Sequence, residues 1–178
     1  MKNLLNDLTS VFIRMNRLLL FLLIACPISI KFYSPNINDQ FLFNKLIAGF
    51  GGACLLCWIY AIAQKSNEKL DALGIYIKSF RFFNWIVGAI VLISIFLLFF
   101  STTINSDYYG LKLKYPAPLF LFIVNTLLFM IAIFYSSKAL VSVEQKREAS
   151  FGESFTTSLL ILFSAFGLWY IQPRVKNI

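Results

Sequence analysis

Hydrophobic positions in this chain come in long unbroken runs, not in the spaced pattern of a half-buried surface. Five runs stand out, at 18–30, 46–63, 85–104, 117–136 and 155–171, and none contains Asp, Glu, Lys or Arg. A helix needs about 20 apolar residues to cross a bilayer, with a range of about 17–25. The middle three runs meet that length and the fifth only just does. The first is short, but Arg17 and Lys31 flank it and can snorkel to the two interfaces. The pattern predicts an all-α, polytopic transmembrane helical bundle of five segments, one transmembrane domain over 1–178 and no soluble domain. The longest connection, 64–84, has 21 residues, fewer than the roughly 40 a soluble domain needs.

Basic residues set the expected orientation. Lys2, Arg14 and Arg17, the Lys65–Arg81 group of four, and Lys138, Lys146 and Arg147 make ten on one side, against six on the other. This predicts a multi-pass protein of the bacterial inner (cytoplasmic) membrane with a cytoplasmic N-terminus. The connections at Lys69 and Lys146 then lie inside and the loop at Asp107 outside. The alternative is four crossings plus a re-entrant last segment. That arrangement moves Arg174 and Lys176 inside and sharpens the count to twelve against four. Ser164, Gly167 and Pro173 permit a bend there, while Trp169 and Tyr170 suit an interfacial belt. Leu23-Ile24-Ala25-Cys26 has the look of a lipoprotein signal. The long basic stretch ahead of it and Pro27 behind it favour an uncleaved helix with an unlipidated Cys26.

Composition agrees with a membrane protein. The 178 residues are 59% hydrophobic and 13% charged, where soluble proteins average about 45–50% and about 25%. Mean hydropathy is +0.76. The chain has no histidine, which excludes Ser-His hydrolysis, histidine-ligated haem and HExxH metal sites. All eight carboxylates lie outside the apolar runs, so intramembrane aspartyl chemistry and ion-coupled transport lack their usual groups. The sequence predicts no enzyme, no cofactor, no metal and no direct nucleic-acid binding.

The remaining signals concern packing and contact. Ala48, Gly49, Gly52 and Ala53 form two overlapping small-xxx-small pairs, which let helices approach closely in lipid. The partner helix is either one of the same chain or that of a second copy in a homo-oligomer. Asn125 and Thr126 are a polar pair near the middle of a span; they either hydrogen-bond between helices or line a pore. Cys54 and Cys57 share a helix face and could form a redox pair as in membrane thiol oxidases. Those enzymes need a second Cys pair in an outer loop, and 105–116 has none. In 64–84, Leu70, Leu73, Ile77 and Phe80 recur at helical spacing, which predicts an amphipathic helix along the inner leaflet. Residues 141–148 read as a continuation of the fourth span, with Glu144 and Arg147 paired at i, i+3. Lys65, Lys69, Lys78, Arg81, Lys146 and Arg147 are the residues expected to contact anionic lipid or a cytosolic partner, repeated as a basic platform in an oligomer.

Phe151-Gly-Glu153 followed by Trp169-x-Ile171-Gln172-Pro173-Arg174-Val175 resembles the ending of a set of small uncharacterised bacterial membrane proteins that close on W-x-I-Q-P-R. The resemblance covers about 138–178. It implies a small multi-span membrane protein and no activity. This chain lacks a proline expected ahead of Gly167, which leaves the bend there open. Three functions follow as expectations. The first is a non-catalytic membrane subunit that senses the bilayer, or anchors and gates a cytosolic partner, in a setting such as a stress or phage-defence pair. The AT-rich codon character of its Phe, Ile, Lys and Asn content suits that antiviral setting. The second is an oligomeric pore or membrane-disrupting effector. The third, disfavoured, is a membrane thiol-redox or lipid-modifying enzyme.

Overall fold

The computed structural model describes the backbone of residues 2–33, 41–75, 80–103 and 116–178. Seven α-helices carry the described chain: α1 (Lys2–Arg14), α2 (Arg17–Tyr33), α3 (Phe41–Ala72), α4 (Phe80–Thr103), α5 (Pro116–Gln145), α6 (Phe151–Leu162) and α7 (Ser164–Asn177). No strand occurs among the described residues. The five apolar runs fall in α2, α3, α4, α5 and the α6–α7 pair. By length and composition, stretches of α4 (Phe80–Leu97) and α5 (Phe120–Gln145) can each cross a membrane, and the bent α6–α7 pair makes a third if it counts as one span.

Two compact units divide the chain, one of 1–80 with 133–178, the other of 81–132. In the second unit, Phe83, Ile86 and Ile90 are buried at helical spacing, while Trp85, Leu92, Phe120 and Phe122 are more than half exposed. Wide apolar exposure is what lipid as solvent permits.

In the first unit, α3 packs on α1, α2 and α7. Leu20 and Ile24 of α2 are fully buried, and Leu18, Leu19 and Leu22 are exposed. Helix α1 stops at Met15-Asn16, and the Asn16 side chain accepts the Leu18 N–H at 3.3 Å to start α2, as an N-cap does. The short polar start of the chain is thus a helix in its own right, with Thr9 and Phe12 turned inward.

The 64–84 stretch is not a separate amphipathic helix. Residues 64–72 extend α3 to 32 residues, or about 48 Å. The extension ends where Gly74 takes φ +71°. Ile75 N–H bonds the Leu70 carbonyl and Gly74 N–H that of Asp71, and Ile75 packs against Leu70. This is a Schellman stop, and Gly74 is its sequence signal. Leu70 is buried and Leu73 exposed, so the supposed stripe does not share one face.

Helix α5 ends the same way. Arg147 N–H reaches the Ser142 carbonyl and Lys146 N–H that of Val143, but here the left-handed residue is Lys146, with φ +53°. Ser150 then caps α6, and Ser150 and Glu153 form a reciprocal capping box. Helices α6 and α7 meet at 119°, turned by Phe163 at φ −87°, ψ 58°.

Candidate functional site

Polar contacts of the first unit join α7 to α1 and α3, and others join α6 and α7 to the end of α5. Gln172 is fully buried. Its Oε1 accepts the Trp58 indole N–H at 2.8 Å, and its Nε2 donates to the carbonyls of Phe12 at 3.1 Å and Ile13 at 2.9 Å. One side chain from α7 thereby satisfies the last carbonyls of α1 and the tryptophan of α3. Lys65 Nζ donates to the Val175 carbonyl at 2.8 Å, capping α7 from α3. Burial, helped by the neighbouring Lys69 and opposed by Glu68, pulls the Lys65 ammonium below the usual lysine value.

Ion pairs tie the last two helices to the end of α5. Arg174 makes a bidentate pair with Glu144, at 2.7 and 2.5 Å, and also donates to the Thr157 hydroxyl at 3.2 Å. Arg147 pairs with Glu153 and Lys138 with Glu148 at 2.6 Å. Glu144 and Arg147 therefore do not pair with each other; each finds its partner in α6 or α7. The Ser150 backbone N–H, the Arg147 guanidinium and the Ser150 hydroxyl together hold the Glu153 carboxyl at about 2. Glu153 lies two residues ahead of the last apolar run.

Beside this junction a cavity of 620 Å³ opens among α1, α3 and α7, lined by Thr9, Arg14, Gln64, Lys65, Glu68 and Lys176, with Ser10 and Ile13. The Gln64 amide donates to Glu68 at 3.0 Å.

Of the predicted contact residues, Lys65 alone lines this cavity. Lys69, Arg81 and Lys146 are exposed, Arg147 is held by Glu153, and Lys78 lies outside the described residues. On α3, Gly49 and Ala53 are exposed, and a methyl group at Gly52 would meet nothing within 4 Å. The side chains of Ala48 and Cys26 and the loop at Asp107 also lie outside the described residues. Cys54 is buried, Cys57 is exposed, and both thiols are free. Asn125 donates to the Ser94 hydroxyl at 3.2 Å, linking α5 to α4, and Thr126 donates to the Phe122 carbonyl of its own helix.

Reasoning from sequence missed Gln172, Trp58, the Glu144–Arg174 pair and the roles of Arg14 and Lys176. A signal did exist for one of them. Gln172 is a lone amide directly after an apolar run, and such a group needs partners when buried. Comparison with protein families, with curated proteins and with solved structures finds no match to this chain.

Proposed function

We propose that this chain is a non-catalytic integral membrane subunit that senses the bilayer, or anchors and gates a cytosolic partner, and presents one polar end, where α1 and α7 end, to the cytosol. One observation carries the reading. Glu153 and Arg174 are tied to Arg147 and Glu144, residues only three apart. A straight helix would separate 153 from 174 by about 32 Å. The last segment thus leaves and returns to one end of its unit, which supports four crossings (α2, α3, α4 and α5) with a re-entrant α6–α7. It also brings Arg174 and Lys176 to the side of Arg14 and Lys65, in line with the twelve-to-four basic asymmetry.

The uncovered Gly49, Gly52 and Ala53 face supports a homo-oligomer through α3. An oligomeric pore is the second reading, and it rests on Asn125 Oδ1, which is buried with no partner among the described residues. Single cysteines at 107, 146 and 176 in a Cys-free background test the first reading with an impermeant thiol reagent in intact cells. The expected result is labelling of 107 alone. Labelling of 176 from outside refutes the re-entrant arrangement.

A further inference from the structure

The cavity among α1, α3 and α7 carries more positive charge than its own surroundings neutralise. Arg14, Lys65 and Lys176 line it, against one carboxylate, Glu68. The ends of α1 and α7 add carbonyl groups, each helix C-terminus amounting to about −0.5 of a charge. Those two ends and Glu68 come to about −2 against +3. Neutral amides bond to these groups without changing that count: the Glu68 carboxylate accepts from the Gln64 amide. The carbonyls of Phe12 and Ile13 at the end of α1 are likewise occupied by Gln172. Among the described residues, neither Arg14 nor Lys176 makes an ion pair. Lys65 uses one of its three N–H donors on Val175.

Shape adds to charge. The space is 620 Å³, in the range of small-ligand pockets, about 300–1,000 Å³. Ser10 already donates to the Asp7 carbonyl and Gln64 to Glu68, so the cations are the donors this space presents. An arginine fork and ammonium groups are a donor set that a phosphoryl group takes. The site lies close to apolar runs, and basic pockets between helices at a membrane surface receive lipid headgroups.

We propose that this cavity binds an anionic phosphoryl group, held by Arg14, Lys65 and Lys176. The inference rests on the membrane-embedded reading above and names the ligand class that the polar end recognises. A phospholipid headgroup and a free phosphate share this chemistry.

The test uses the full-length protein in mild detergent, exchanged in turn with phosphatidylglycerol, phosphatidylcholine and inorganic phosphate, and read by native mass spectrometry with thermal shift. Arg14→Gln with Lys176→Gln removes two exposed cavity cations. Lys138→Gln removes a cation elsewhere, one that neither lines the cavity nor belongs to the residues expected to meet lipid or a partner. The expected result is retention of the anionic ligand by the parent and by the second variant. The first variant should bind about thirtyfold more weakly, the product of two basic contacts at their usual worth near an anionic headgroup. Retention of phosphatidylglycerol without competition by phosphate identifies a lipid. Binding of phosphate alone, with competition, identifies a soluble phosphoryl ligand. Equal retention of both lipids with no phosphate binding, or equal weakening in both variants, overturns the proposal. Labelling at 176 reports on the membrane arrangement separately, so either claim can fail while the other stands.

Discussion

Replacing Gly167 by alanine sets a methyl group against the carbonyl of Leu160 across the α6–α7 bend. The added Cβ would lie 1.5 Å from that oxygen and 2.4 Å from its carbon, whereas real Cβ contacts are no closer than 3.0 Å. The two backbones must therefore part by about 1.5 Å, the difference between those values. Both groups are main chain, so no rotamer change relieves the clash. Overpacking in a well-packed interior costs typically about 1–3 kcal/mol, and the lack of any flexible atom places this site at the top of that range. The strain also loosens Gln172 and Arg174, which lie on the same helix and hold Trp58 and Glu144. At about 3 kcal/mol, the melting temperature of a chain this long falls by about 6–12 °C. Intrinsic tryptophan fluorescence during a thermal ramp in mild detergent reads the transition. Gly152→Ala is the control, since a methyl there meets nothing within 4 Å and alanine favours the helix by a few tenths of a kcal/mol or about 1 at most. If Gly167→Ala melts at or above the parent and Gly152→Ala, the close α6–α7 crossing is wrong, and the re-entrant arrangement falls with it.

Further outcomes follow from the same contacts. Gln172→Leu orphans the buried indole N–H of Trp58, worth about 1–3 kcal/mol, and should lower the melting temperature while blue-shifting tryptophan emission, since an apolar side chain replaces the polar acceptor; an unchanged emission maximum argues against the contact. Lys146→Gly relieves a left-handed lysine and should raise stability by up to about 1 kcal/mol, measured by the same ramp. Glu153 titrates at about 2 in the folded chain, below its unfolded value of about 4.3. Its contribution is therefore fully present above that unfolded value and is lost as pH falls towards 2; Glu153→Gln should flatten the stability profile over that window, and an unaltered profile speaks against the pairing with Arg147. Gly49→Leu with Gly52→Leu should reduce oligomers to monomers in native mass spectrometry if α3 is the contact between copies, and a parent protein that is itself monomeric removes that role.

The amino-acid sequence alone was enough for the helical class and for the five apolar runs. The reason is local: a helix satisfies its backbone hydrogen bonds within one segment, so a long apolar run free of charge marks one, whereas α1 and the charged extension of α3 lie outside any such run. Helix ends were written locally as well, in Gly74 and in the Ser150-x-x-Glu153 box, although the stop at Gly74 was obscured by hydrophobic spacing that continued past it. Residues 141–148 read as an extension of their span for the same local reason; the helix runs to Gln145, and the left-handed Lys146 ends it short of 148. The polar junction was not legible. Trp58 meets Gln172 across 114 positions, and Glu144 meets Arg174 across 30. Glu144 had a well-spaced partner in Arg147 on its own stretch, and the pairing went elsewhere. A left-handed Lys146 ends the helix between the two and turns Arg147 to Glu153, while the bend at Phe163 brings Arg174 back to Glu144. Whether Arg14, Lys65 and Lys176 form three scattered surface charges or one basic cavity likewise depends on how α1, α3 and α7 pack, a question of long-range geometry that helical periodicity does not encode.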